Sequence, residues 1–164
     1  MEKLLDKVNL LGGGIVALLS AIFGQLWFLF AGLLVLNFAD WITGWRAANK
    51  ANECSSKIGA KGIAKKVGYW LVIAVSFFIG FIFQELGQVL NMNLNFMNCI
   101  GWFVLANYLV NESRSILENL IRLNVPVQPF LVRGLKTASE WIDKAADVQI
   151  THGKKDNDNK NKEE

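Results

Sequence analysis

Asn37, Asp40 and Gly44 stand at i, i+3 and i+7, so a helix through them carries an amide, a carboxylate and a gap along one face. Asp40 is the first ionisable residue after Lys7. A carboxylate in such apolar surroundings has two natural uses. It lines a water-filled path together with Asn37 and Gly44, or it sits at the edge of an apolar layer and pairs with a nearby base such as Arg46. An acid at the centre of a bilayer costs about 2.5–3.5 kcal/mol on insertion scales, and less towards the end of a span. Both uses stay open on the sequence alone.

Other residue types that carry chemistry are scattered. His152 stands alone in a polar tail. Cys54 and Cys99 are the two cysteines, and their spacing matches neither a disulfide framework nor a metal site. Gly12–Gly14 is a glycine run without the Lys-Ser/Thr that completes a phosphate-cradling loop. No Ser–His–Asp or metal-ligand grouping is apparent. The chain therefore reads as a non-enzyme, and no catalytic residue, metal or cofactor is expected.

The elements that hold these residues are apolar. Hydrophobic residues make up 52% of the 164 positions. Runs without Asp, Glu, Lys or Arg lie between Lys7 and Asp40, Lys66 and Glu85, and Glu85 and Glu112. A helix at a protein surface alternates an apolar stripe with a charged face, and these runs lack the charged face. They read as membrane spans of an all-α integral membrane protein. The first run is too long for one span, and Gly24–Gln25 is a turn candidate within it. Spans are expected near 8–23, 26–43, 67–83 and 96–110. Three spans remain the alternative, with the first run crossing once. The stretch QELGQVLNMNLN reads as a short exposed connection.

Charge sets the orientation. Of the 17 Lys and Arg, two precede the first segment, six lie in the basic stretch 44–66 and nine follow the fourth segment. With four crossings all of them fall on one side, which the positive-inside rule makes the cytoplasm, together with both termini. The basic stretch is then a cytoplasmic loop that anchors topology. No nucleic-acid-binding module accompanies it, and no nucleic acid is expected as a partner.

Residues 111–150 change character and read as a cytoplasmic helical extension. Ile116, Leu117, Leu120 and Ile121 form one stripe, and Leu131, Leu135, Ala138, Trp141, Ile142 and Ala145 another, with Pro126 and Pro129 between them. Residues 151–164 read as a disordered charged tail. Gly13, Ala17 and Ala21 recur every fourth residue, and Ser76 and Gly80 repeat the spacing, which suits close helix packing. Short spans favour oligomers or local bilayer thinning.

Two blocks carry a family likeness. DWITGWRAA followed by SSKIGAKGIAKK supplies Asp40, Thr43, Gly44, Ser55, Ser56, Gly62, Lys65 and Lys66; NESRSILENLIRLNVP supplies Glu112, Ser115, Ile116, Glu118, Asn119 and Pro126. Together they resemble the toxin-secretion/phage-lysis holin family over roughly residues 26–132. Where that family often has a glycine before its hydrophobic–Pro pair this chain has Asn124, and its second proline, Pro129, is shifted by one. The resemblance implies a small phage-type protein of the bacterial inner membrane. Such a protein forms homo-oligomers and permeabilises the membrane at lysis. It releases a cell-wall hydrolase, or a toxin, without needing to touch it. An antiholin is a further expected partner. The alternatives are a membrane-anchored antiholin or adaptor working through the C-terminal helix, and a small channel.

Overall fold

The computed structural model describes residues 24–53 and 55–163, together with positions 6, 9–14, 16, 17 and 20. Four long helices follow a single turn of 3-10 helix at Gly24–Leu26: α1 (Trp27–Lys50), α2 (Ser56–Leu90), α3 (Cys99–Arg122) and α4 (Pro129–Glu163). A second 3-10 turn, Asn95–Asn98, leads into α3. No strand occurs among the described residues.

The helix ends share one device. Asn52, Asn91 and Asn124 follow α1, α2 and α3 with φ of 55°, 52° and 65°, in the left-handed region that asparagine tolerates better than most residues. Each turn ties the last carbonyls back: Glu53 N–H reaches Ala48 O at 2.9 Å, Met92 N–H reaches Gly87 O at 2.9 Å, and Val125 N–H reaches Leu120 O at 3.0 Å. Asn124 thus takes up the conformation that a glycine would supply there. Gly24, which opens the 3-10 turn before α1, has φ of 69°, a conformation glycine adopts without a Cβ penalty.

These stops lie further out than the charge pattern suggested. The basic stretch is largely helical, carried by the end of α1 and the start of α2, with residues 51–55 between them. Much of QELGQVLNMNLN extends α2 to Leu90, because nothing in it breaks a helix before Asn91. α4 extends from Pro129 to Glu163.

α3 is the hub. It packs against α1, α2 and α4, whereas α1 and α2 touch each other sparsely. Phe30 and Leu33 of α1, Ile73 of α2 and Leu105 of α3 form the buried core. Phe77 and Trp102 close it, meeting edge to face at 5.0 Å between ring centres, with Phe30 5.5 Å from Phe77. Gly101 makes this approach possible, because a Cβ there would lie 2.7 Å from the Phe77 ring. Gly80 does the same where α2 passes Asn98, and Ser76 is buried beside it with its hydroxyl donated to Val72 O at 2.7 Å.

Among the described residues, two helices are long and apolar enough to cross a membrane: α1, and residues Gly62–Leu90 of α2. At about 1.5 Å per residue their 24 and 29 residues reach about 36 and 44 Å, against a hydrocarbon core of about 30 Å. Their outer faces stay bare, with Leu34, Val35, Phe38, Val75, Phe78 and Val89 exposed. The other two expected spans stand differently. Residues 8–23 fall partly outside the described residues. Residues 96–110 form the second 3-10 turn and the start of α3, which runs on unbroken into the polar residues 111–122. α4 packs antiparallel along α3. Asn107 donates to Asp143 Oδ1 at 2.9 Å and accepts from the Ser139 hydroxyl at 3.1 Å. Of the second predicted stripe, Leu135, Ala138 and Ile142 are half-buried there, while Leu131 and Trp141 remain exposed.

Candidate functional site: a polar clasp between three helices

One turn beyond the aromatic core, polar residues from α1, α2 and α3 converge. Lys66 of α2 is shared by two carboxylates: it donates to Asp40 Oδ2 of α1 at 2.9 Å and to Glu112 Oε2 of α3. Asn119, two turns further along α3, donates to Asp40 Oδ1 at 2.9 Å and to the Thr43 hydroxyl oxygen at 3.3 Å. Thr43 in turn donates to Ala39 O at 2.9 Å. Asn37 completes the set from one turn above Asp40. With its amide nitrogen towards Glu112 it donates to Oε2 at 3.0 Å and accepts from Trp70 Nε1 at 3.0 Å. No buried side-chain polar atom among the described residues lacks a partner, as the cost of burying an unpaired one demands.

Sequence spacing explains the α1 contribution. Asn37, Asp40 and Gly44 do share a face, and it is turned to α3. Gly44 faces Asn119 on the same side: a Cβ there would stand in ordinary contact, 3.4 Å from Asn119 Nδ2. The base beside Asp40 is Lys66, not Arg46. Arg46 lies on α1's exposed side, whereas Lys66 reaches across from the antiparallel neighbour.

Electrostatically the clasp holds two carboxylates for one ammonium, so one negative charge is in excess. Glu112 is the most enclosed, at 4% exposure. Burial pushes its carboxyl above the ordinary value and the Asp40 carboxylate adds to that, while the hydrogen bond and charge of Lys66 pull the other way. Lys66, Asn119 and both oxygens of Asp40 are engaged across helices. Such a set suits fixing the mutual position of three helices.

Of the remaining signature residues, Ser55, Gly62, Lys65, Ser115 and Glu118 stand beside the clasp. Gly62 and Ser115 line the two cavities beside it, of 300 and 310 Å³, and Ser55 lines the second. Lys65 turns outward over the Tyr69 ring at 5.6 Å. Glu118 pairs with Arg114 one turn back on α3, Ile116 is half-buried, and Pro126 lies in the turn before α4. Ser56 opens α2. Of the small-residue positions, Gly13 and Ala17 are exposed and Ala21 falls outside the described residues. Asn37, Trp70 and Asn119 matter more to the site than the sequence reading allowed. Asn37 and Asn119 carry a sequence signal, one on the Asp40 face and the other in the second block, whereas Trp70 carries none beyond lying one helical turn from Lys66.

A family model described as bacteriophage holin family matches residues 17–140. An uncharacterized protein of Listeria innocua is 35% identical over 131 residues, 80% of this chain and 84% of its own length. One from Listeria monocytogenes matches equally, at 35% over the same shares. An uncharacterized 14.9 kDa protein in the nagH 3' region of Clostridium perfringens is 33% identical over 132 residues, 79% of this chain and 92% of its own. No solved structure matches the chain.

Proposed function

The chain belongs to the bacteriophage holin family, and on that premise we propose that it oligomerises in the bacterial inner membrane and permeabilises it at lysis, releasing a cell-wall hydrolase or a toxin. The observation that carries this reading is the family match across 17–140, which takes in α1, α2 and α3 together with the whole clasp. Two long helices with bare apolar outer faces support it, because such faces suit acyl chains or other copies of the chain. In this reading the basic stretch around residues 44–66 faces the cytoplasm. The clasp sets the geometry of the subunit, and the lesion forms between subunits rather than through one.

The test is timed membrane potential after induction in a bacterial host, with and without a co-expressed hydrolase that lacks its own export signal. The expected result is an abrupt collapse of potential, followed by lysis only where the hydrolase is present. Intact potential and steady growth at high membrane abundance would overturn the proposal.

A second reading, an adaptor or antiholin, has one specific observation in its favour. Phe130 and Trp141 are exposed on α4, on the side away from α3. Removing α4 separates the two: a lesion-forming protein keeps collapsing the potential, while an adaptor loses its effect.

A further inference from the structure

The first half of α3 lies level with both candidate spans. Leu105 shares the buried core with Leu33 of α1 and Ile73 of α2, and Gly101 meets the Phe77 ring. α4 in turn lies along that same half of α3. Ser139 and Asp143 hydrogen-bond Asn107, and Asp143, Ala146 and Ile150 line a cavity of 160 Å³ with Cys99, Ile100 and Phe103. Docked in this way, α4 carries Glu140, Asp143, Lys144 and Asp147, all exposed, at the level of the spans. Hydrocarbon does not accept such a row of charges on an outer face. Docked α4 and α3 immersed in a bilayer therefore exclude each other. The contact is also loose: none of the described residues of α4 is buried, and the cavity lies beneath it.

We propose that α4 is a detachable cover: with α3 in the bilayer, α4 withdraws to the membrane surface, and the face it uncovers receives the same face of a second copy of this chain. This deepens the membrane reading above and rests on it. Ile100, Phe103 and Asn107 stand at i, i+3 and i+7 and form one face. In one membrane two copies run α3 in the same direction, so across a two-fold axis like residues meet at the same depth. Asn107 selects the occupant. Under α4 both ends of its amide are used, donating to Asp143 at 2.9 Å and accepting from Ser139 at 3.1 Å. Once uncovered in hydrocarbon, it needs a donor and an acceptor again. A second Asn107 supplies both, and an acyl chain supplies neither. Side-chain amides join membrane helices in this manner. The withdrawn α4 keeps a use for the face that α3 gives up. Leu135, Ala138 and Ile142, half-buried when docked, can rest on the headgroup layer with the charges in water.

The experiment is oxidative cross-linking of the full chain in membranes, with Cys54→Ser and Cys99→Ser as background. Phe103→Cys should give a dimer-sized product several-fold above Phe78→Cys, a position 62% exposed on the outer face of α2. Adding Ala146→Cys to Phe103→Cys offers an internal partner across the cavity under α4. The dimer should still exceed that internal link several-fold. Asn107→Leu should lower the Phe103→Cys dimer several-fold. In inverted vesicles a membrane-impermeant maleimide should label Ala146→Cys and spare Phe103→Cys. A dominant internal link, or a shielded Ala146→Cys, would keep α4 on α3 and overturn the proposal. Equal dimer yields at the two phenylalanine positions, or none at either while the protein is abundant in the membrane, would overturn it as well. None of these readouts depends on lysis, so an intact membrane potential would overturn the function proposed above and leave this result standing.

Discussion

Asn119 donates its side-chain amide to Asp40 Oδ1 at 2.9 Å, joining residues 79 positions apart in the chain. Asp40 thereby has one oxygen satisfied by α3 and the other by Lys66 of α2. This double engagement makes a carboxylate in an apolar stretch tolerable, since buried charges are kept only when paired and hydrogen-bonded.

Lys66→Met leaves Asp40 and Glu112 facing each other without a cation. The side chains involved are 5–16% exposed, so the expected loss is about 3–5 kcal/mol, the range for breaking a buried pair. Asp40→Asn keeps a partner for Asn119 and should cost less. Unfolding of the purified proteins in detergent, compared side by side, checks the order.

Gly101→Ala forces the Phe77 ring away from a Cβ that would stand 2.7 Å from it. That ring is held by Trp102 and Phe30. An overpacking loss of about 1–3 kcal/mol is expected. Gly134→Ala is the matched control: nothing lies within 4 Å of its Cβ, and removing a helical glycine should stabilise by about 0.5–1 kcal/mol. Opposite shifts in melting temperature would bear this out, and equal shifts would refute it.

Glu112 should make stability depend on pH. Burial, with help from Asp40, raises its carboxyl above the ordinary 4.5. A raised acid binds its proton more tightly in the folded state. Its contribution is therefore complete below about pH 4.5 and is lost as pH rises through the raised value. Denaturation midpoints measured across the acid range should fall with increasing pH in that window, and Glu112→Gln should flatten this part of the profile.

Asn119→Ala removes both donations into α1, to Asp40 and to Thr43. The expected destabilisation is about 1–3 kcal/mol, the cost of leaving buried acceptors short of a donor. In the lysis assay the same variant should delay the collapse of potential at equal expression, because a looser clasp lowers the amount of correctly packed subunit. An unchanged onset time, with the protein measurably destabilised, would separate the clasp from lysis timing.

The family assignment was legible from two short blocks of sequence. So were the apolar character of α1 and α2 and the shared face of Asn37, Asp40 and Gly44. All of these are local: hydropathy, residue spacing and a glycine's backbone freedom act within a few turns. Where the helices end is not legible in the sequence, because Asn52, Asn91 and Asn124 act as left-handed stops only once the preceding carbonyls are in place to receive the turn. Tertiary structure alone decided that Lys66, Glu112 and Asn119 all come to Asp40. That choice depends on α3 lying between α1 and α2, which in turn depends on Gly101 admitting the Phe77 ring. Contacts between residues tens of positions apart are set by how helices pack, and helical periodicity gives the face a residue occupies but not the neighbour that face will meet.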